Sequence, residues 1–287
     1  MKQLFKILFF VLISYALSTM CRTEFEIIIP TYNNEPWCIS NLEALVSQTY
    51  PHWHATVIVD CATDKTAELI SDYIIKNNLE NKITLIINTE RKGALANIYY
   101  AVTMCSPHKV IGLYDGDDKL AGDFVLAHLA DLYDTYDIWV TYGQFKLWPQ
   151  NVDGWCCPYQ EHVVKNNLFR KIQDMPSHFR TFYAWLFQKI DPKDFLYKGE
   201  FFSMTWDQAI MFPIMEMAGD RHYFVPKILY IYNDGNPIND HRVNWDLQKK
   251  LSRIIRSKKP YERLDYNYPP NKGKKHIRKI KKQQEVK

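Results

Sequence analysis

A chain of 287 residues and 34.1 kDa is long enough for one large domain to bury a core without disulfides or a structural metal. Hydrophobic residues at 47% and charged residues at 24% exclude a largely disordered or fibrous protein. The net charge of +4 describes no single surface, because Asn271–Lys287 carries +7 and the other 270 residues sum to −3.

The first element is an uncharged run from Ile7 to Cys21, preceded by Lys2 and Lys6 and closed by Arg22. Its 15 residues fall short of the ~20 that span a bilayer as a helix. The basic flank and apolar run predict a signal peptide or short anchor over residues 1–22, although Ser18-Thr19-Met20-Cys21 lacks a small-x-small cleavage site. A membrane-associated or secretory location is therefore expected, with the side of the membrane open. Six cysteines (21, 38, 61, 105, 156 and 157) show no metal-ligand spacing and read as mostly buried thiols.

From Glu24 to about Val140, short apolar runs alternate with helix-length segments. Phe25–Ile29 is a β-branched strand stopped by Pro30, and Pro36–Gln48 follows with Leu42, Leu45 and Val46 at helical spacing. Thr56–Val59 is a second strand, ending at Asp60, and Thr63–Asn78 a helix with Thr63 or Asp64 near its N-cap. Ile83–Ile87, Lys109–Leu113 and Ile138–Tyr142 are further strands; Lys92–Met104 and Leu120–Tyr133 are the helices between them. Such alternation predicts βαβ units and a mixed, mostly parallel α/β sheet. Beyond Gly143 the regularity breaks: residues 144–205, rich in aromatics and Pro, read as connecting structure around a site. Met204–Met217 is again helical, and a pair of strands is expected around Tyr223–Val225 and Ile228–Ile231. Residues 246–287 form a basic helix and tail. The tail reads first as a solvated terminus, or else as an electrostatic foot on an anionic membrane surface. No nucleic-acid motif accompanies its charge, so no nucleic-acid partner is expected.

Polar residues cluster where the first strands end: Thr31-Tyr32-Asn33, Asp60, and Asp115-Gly116-Asp117-Asp118. Open α/β sheets bind ligands along that edge. Asp115 and Asp117 flank a Gly directly after a buried strand, so their carboxylates suit a hard cation that shares substrate phosphates; an ordinary acidic turn is the alternative.

Over roughly residues 24–245 the sequence resembles family 2 glycosyltransferases, the inverting enzymes of the GT-A (Rossmann-like) fold. Ile27-Ile28-Ile29-Pro30-Thr31-Tyr32-Asn33 is similar to the strand-one signature that holds the nucleotide base. Asp60–Thr66 looks like the acidic second-strand segment, with Val59 where the family carries a second acid. Asn88–Asn97 matches an arginine-glycine-asparagine stretch through Arg91, Gly93 and Asn97, and Asp115-Gly116-Asp117 matches the DxD motif. A helix beginning at Arg91 and Gly93 would attract phosphate independently of any family. The resemblance implies a catalytic domain over 23–245, with a nucleotide-sugar half at 23–143 and an acceptor half at 144–245. It implies Asp115 at ribose or metal and Asp117 at Mn²⁺ or Mg²⁺. Asp207, in Thr205-Trp206-Asp207-Gln208, stands where members carry the catalytic acid, with Trp206 replacing a Glu and free to stack on a sugar. His241 is the expected third metal ligand, and His178 and Arg180 are expected near the acceptor or diphosphate.

The expected activity is metal-dependent, inverting transfer of sugar from a nucleotide sugar (a UDP-sugar first) to a glycan, lipid-linked or protein acceptor in glycan or cell-surface polysaccharide synthesis. Alternatives are a non-catalytic nucleotide- or carbohydrate-binding relative, a membrane-surface adaptor, or a sugar nucleotidyltransferase. The last would need a Gly-rich loop after strand one, where Thr31-Tyr32-Asn33-Asn34 has no Gly.

Overall fold

A computed structural model describes residues 22–173, 176–265 and 274–275. Four strands, β1 (Phe25–Thr31), β2 (Trp53–Asp60), β3 (Ile83–Asn88) and β4 (Val110–Leu113), alternate with helices α1 (Cys38–Val46), α2 (Thr66–Lys76) and α3 (Ala94–Met104). These strands are mutually parallel in the order β3-β2-β1-β4. Ile27, Ile28 and Ile29 of β1 are all fully buried, as a strand covered on both faces requires. The strand runs through Pro30 rather than stopping at it. Pairing with β4 ends at Ile28–Leu113, so the nitrogen of Pro30 faces the turn beyond β4, where no ladder bond is lost.

After the short strand β5 (Lys119–Leu120) and helix α4 (Val125–Thr135), the chain forms β6 (Val140–Trp148), which extends well past Gly143. A two-residue strand, β7 (Val152–Asp153), folds back on it, and α5 (Glu161–Lys165) follows. Next comes β8 (Arg180–Tyr183), inserted antiparallel between β4 and β6, then α6 (Ala184–Phe187). A small hairpin of β9 (Leu196–Tyr197) and β10 (Glu200–Phe201) leads into α7 (Trp206–Ala218). The strand pair expected near 223–231 is one strand, β11 (His222–Asn233): Pro226 marks an irregularity between Val225 and Tyr230 instead of a turn. Helices α8 (Asp240–Val243) and α9 (Trp245–Ser257) close the described chain. The sheet is thus mixed and mainly parallel, in the order β3-β2-β1-β4-β8-β6-β11-β5.

Residues 144–205 differ from a loose connector. Phe169, Phe179, Phe182, Phe187 and Phe195 are almost completely buried, so much of the aromatic excess builds core, while Trp155 remains 59% exposed. Under α7, Glu216 accepts two hydrogen bonds from Arg170, at 2.6 and 2.9 Å, and a third from the Tyr261 amide. Helix α9 buries Leu251 and Ile255 and turns its basic face outward.

The membrane-associated or secretory location is corrected. No helix among the described residues is long and apolar enough to cross a membrane, and residues 1–21, on which that expectation rested, lie outside the described residues. Most of the basic tail also lies outside them; Lys274 and Lys275 bond to backbone carbonyl and amide groups at the end of α4.

Candidate functional site

Parallel strands in register deliver their last residues to one sheet edge. Thr31 lies opposite Val59, so Thr31, Asp60 and the turn after β4 emerge together. Because β8 runs the other way, its first residue, Arg180, starts at this same edge. Helix α7 begins here with Asp207 in its first turn, and the loop after β11 closes over it. The result is a cleft of about 280 Å³ lined by Thr31, Tyr32, Asp60, Arg91, Gly93, Asn97, Asp115, Gly116, Asp117, His178, Arg180, Trp206 and Asp207. Asn33 does not join them: its side chain bonds Thr63 and faces a neighbouring hollow. His241 belongs to α8, but its side chain lies outside the described residues.

On the β2–α3 side, Asp60 is engaged by its own protein. One oxygen accepts from the Lys92 amide and Asn88 Nδ2, both at 2.9 Å, and the other from the Gly93 amide at 2.8 Å. Burial pushes this carboxyl up, but the bonds to Lys92, Asn97, Asn88 and Gly93 prevail and hold it below the usual range. Asp60 thereby shapes the loop that launches α3. Gly93, with φ +85°, caps that helix in a conformation L side chains rarely adopt. The Arg91 guanidinium lies over the Tyr32 ring, 3.6 Å from its centroid. A cation and a helix N-terminus therefore stand together at the cleft wall.

The acidic turn is clamped from several elements. Asn41 of α1 donates to the carbonyls of Asp115 and Asp118, at 2.8 and 2.9 Å. The Asp115 amide donates to the Tyr230 hydroxyl at 3.0 Å, and β5 pairs with β11 just beyond the turn. Gly116 is required by close approach: a methyl there would stand 2.5 Å from Thr31 Cβ. Asp117 accepts from Asn236 Nδ2, and Asp118 from the Asn233 amide, each at 2.6 Å.

Three carboxylates thus crowd one turn. Burial first, then the charges of Asp117, Asp207 and Asp240, push Asp115 up to about 7 despite the nearby Arg180. Burial likewise raises Asp117, and burial with its two acidic neighbours raises Asp118 strongly. Asp118 Oδ2 is buried without a hydrogen-bond partner among the described residues. Ligand atoms of Asp115, Asp118 and His178 come within 4.8 Å of one another. Carboxylates raised by burial and crowded at one turn, with one orphaned acceptor, suit a hard divalent cation.

Opposite the turn, Arg180 is nearly buried and bonds Pro176 O, His178 Nδ1 and Asp207 Oδ2, each at 3.2 Å. Burial, reinforced by Arg180, holds the His178 imidazole well below its ordinary pKa and hence neutral, stacked on Tyr230 at 4.6 Å. Asp240 accepts from the Thr205 backbone, and burial together with the Asp207 charge pushes it up to about 6. Asp118, Asn236 and Asp240 stand at the site although they are not among the residues expected from the sequence. Asp118 was visible in the four-residue acidic turn. Asn236 and Asp240 lie in the polar stretch Tyr232–His241, running on from the end of β11, of which His241 alone is among the expected residues.

The family model for "Glycosyl transferase family 2" matches residues 26–191, which is 166 of the 287 residues. The chain is 25% identical over 98 residues to TuaG of Bacillus subtilis, named as a teichuronic acid biosynthesis glycosyltransferase. It is 37% identical over 59 residues to TarS of Staphylococcus aureus, a poly(ribitol-phosphate) β-N-acetylglucosaminyltransferase. These alignments cover 34% and 20% of the chain, and 37% and 10% of the relatives' own lengths. Among solved structures, S. aureus TarS 1–349 in complex with UDP-GlcNAc superposes with a TM-score of 0.59 at 19% identity, over 81% of this chain and 65% of that one. The mannosyltransferase PcManGT of Pyrobaculum calidifontis, in complex with GDP-Man and Mn²⁺, gives 0.55 at 18% identity, over 84% and 66%. Both likenesses show the GT-A fold.

Proposed function

The chain belongs to glycosyl transferase family 2, and from that membership we propose a metal-dependent transfer of sugar, with inversion, from a nucleoside-diphosphate sugar to an acceptor hydroxyl. The observation that carries this reading is the meeting of the Asp115–Asp117 turn, Arg91 with the α3 N-terminus, and Asp207 around one cleft. The donors in complex with the neighbours, UDP-GlcNAc and GDP-Man, support a nucleotide sugar, and a UDP-sugar is the first to try.

In this mechanism the base and ribose lie along Thr31, Tyr32 and Asp115, with Asp60 setting the loop beside them. The diphosphate faces Arg91 and the free amides at the start of α3. Asp117 and Asp115 hold Mn²⁺ or Mg²⁺, with Asp118 and neutral His178 as the candidates to complete the set. The cation, when bound, supplies charge stabilisation for the departing diphosphate. Asp207 takes the proton from the acceptor hydroxyl as it attacks the anomeric carbon, on the face opposite the leaving group. Arg180 orients Asp207 through the 3.2 Å ion pair, and Trp206 offers an aromatic face to a sugar. A glycan of cell-surface polysaccharide type is the proposed acceptor.

The test is a screen of UDP- and GDP-sugars with Mn²⁺, Mg²⁺ or chelator, following release of nucleoside diphosphate. Metal-dependent turnover of at least one donor, abolished by Asp117→Ala, is expected. Undiminished turnover in chelator would overturn the metal assignment.

A further inference from the structure

A second cleft, of about 1130 Å³, opens directly beside the first and shares His178, Arg180, Thr205, Asp207, Tyr232 and Gln248 with it. Asp207 therefore faces both. The described lining of the second cleft holds six Lys and Arg residues against two acids, Asp207 and Asp234. Three of the cations are committed: Arg170 to Glu216, Arg180 to Asp207, and Arg256 to the carbonyls of Ile172 and Gln173. Asp234 is engaged by Arg242 and Gln150. The remaining three, Lys171, Lys249 and Arg253, are exposed and have no carboxylate partner among the described residues.

Placement makes this more than surface charge. Trp245, Lys249, Arg253 and Arg256 follow one face of α9 at spacings of three and four residues, aimed into the cleft. Two large exposed aromatics, Trp155 at 59% and Trp245 at 54%, also line it. Flat aromatic faces suit the C–H face of a sugar or polyol; the cations beside them, with Lys249 Nζ 4.9 Å over the Trp245 ring and none held by a carboxylate among the described residues, suit anionic groups spaced along the same polymer. Excess positive charge also steers a polyanion toward the mouth where Asp207 waits.

Resting on the transferase reading above, we propose that the second cleft is the acceptor site and that its acceptor is a polyanionic glycan or polyol chain, bearing phosphodiester or carboxylate groups, bound by Lys171, Lys249 and Arg253. The attacked hydroxyl reaches Asp207 while the anionic chain trails along α9.

The probes are a glycerol-phosphate hexamer, a galacturonate hexamer and neutral maltohexaose, each titrated calorimetrically into the full chain with UDP and Mn²⁺ present. At least one anionic hexamer should bind about tenfold more tightly than maltohexaose and weaken as salt is raised. Which anion binds identifies phosphodiester or carboxylate chemistry. Combined Lys171→Ala, Lys249→Ala and Arg253→Ala should reduce that affinity about tenfold, with Arg253→Lys alone retaining it. UDP affinity of the same variants reports whether the donor cleft is intact, and all three side chains are exposed, so the fold should survive. Maltohexaose binding as tightly as either anion, or a triple variant that binds the anion like the parent, overturns the proposal. A parent that binds the anion yet turns over no nucleotide sugar supports the cleft's charge preference and counts against the transferase reading alone.

Discussion

Asp207→Asn separates the proposed base from the donor machinery, because it keeps the side chain's shape and removes its basicity. Two costs can be compared. Losing a positioned general base slows a reaction ~10²–10⁴-fold, about 3–5 kcal/mol on the barrier. Losing the charged partner of a nearly buried Arg180 weakens one hydrogen bond, which costs about 1–3 kcal/mol of stability. That second cost is contained, since Arg180 keeps its bonds to Pro176 and His178 and an amide oxygen still accepts from it. The donor side should gain slightly. Asp207 is one of the charges pushing Asp115 up to about 7, so its removal lets Asp115 ionise at lower pH. The assay pairs the rate of sugar transfer with a calorimetric titration of UDP in Mn²⁺. Transfer should fall by two to four orders of magnitude, on the general-base scale above, while UDP affinity stays within a few-fold. Transfer within about tenfold of the parent by a folded variant would refute the assignment of Asp207 as base. Equal losses in UDP affinity and rate would assign it a structural role instead.

Three further outcomes follow from the geometry. Asp115, at about 7 in the folded protein, binds a proton between roughly pH 4 and 7 that the unfolded chain releases, so its contribution makes stability fall as pH rises through that window. Thermal melts should show a flatter pH profile for Asp115→Asn than for the parent, and Mn²⁺ should raise the parent's Tm more above about pH 7 than at pH 5. Arg170→Ala strands Glu216, whose side chain is wholly buried; urea unfolding should register about 3–5 kcal/mol, whereas Arg170→Met combined with Glu216→Leu should cost much less. A single-variant loss below about 1 kcal/mol would mean the pair is not held as described. Gly116→Ala forces a methyl against Thr31 and should cost about 1–3 kcal/mol and weaken UDP binding; unchanged binding would place the donor elsewhere.

Burial and neighbouring charge, that of Asp207 included, push Asp115 up to about 7 and Asp240 up to about 6, so the three acids share one field across the cleft. Carboxylates brought this close hold one another's protons until a cation or a bound diphosphate complex changes the field. Asp240 also ties the loop after β11 to Thr205, whose left-handed backbone (φ 56°) begins α7. Asp240 thus links the loop after β11 to the turn that leads into Asp207.

Only local features could be read from the chain before it folds. Apolar runs of strand length alternating with helical spacing set the parallel β1–β4 layer, and the polar residues after each run marked the edge where the cleft opens. Thr31, Asp60, Asp115 and Asp117 were legible because each stands at the end of a strand or in the turn just beyond it. Partners far along the chain were not legible. Asp118 is fixed by Asn233 and Asp117 by Asn236, across 115 and 119 positions, and no periodicity predicts such a pairing. Nor does any pattern announce that β8 slips antiparallel between β4 and β6, which is what carries His178 and Arg180 to the acidic turn. Asn33, between the cleft-lining Tyr32 and Asn34, turns to Thr63, its backbone being in the left-handed region (φ 50°) just after the strand ends. The net charge of +4 shows the same division: composition supplied its sum, but only folding set three cations without a carboxylate partner among the described residues along the cleft beside Asp207. Local spacing is written in the backbone's own periods, whereas convergence of charge depends on the order in which distant strands pair.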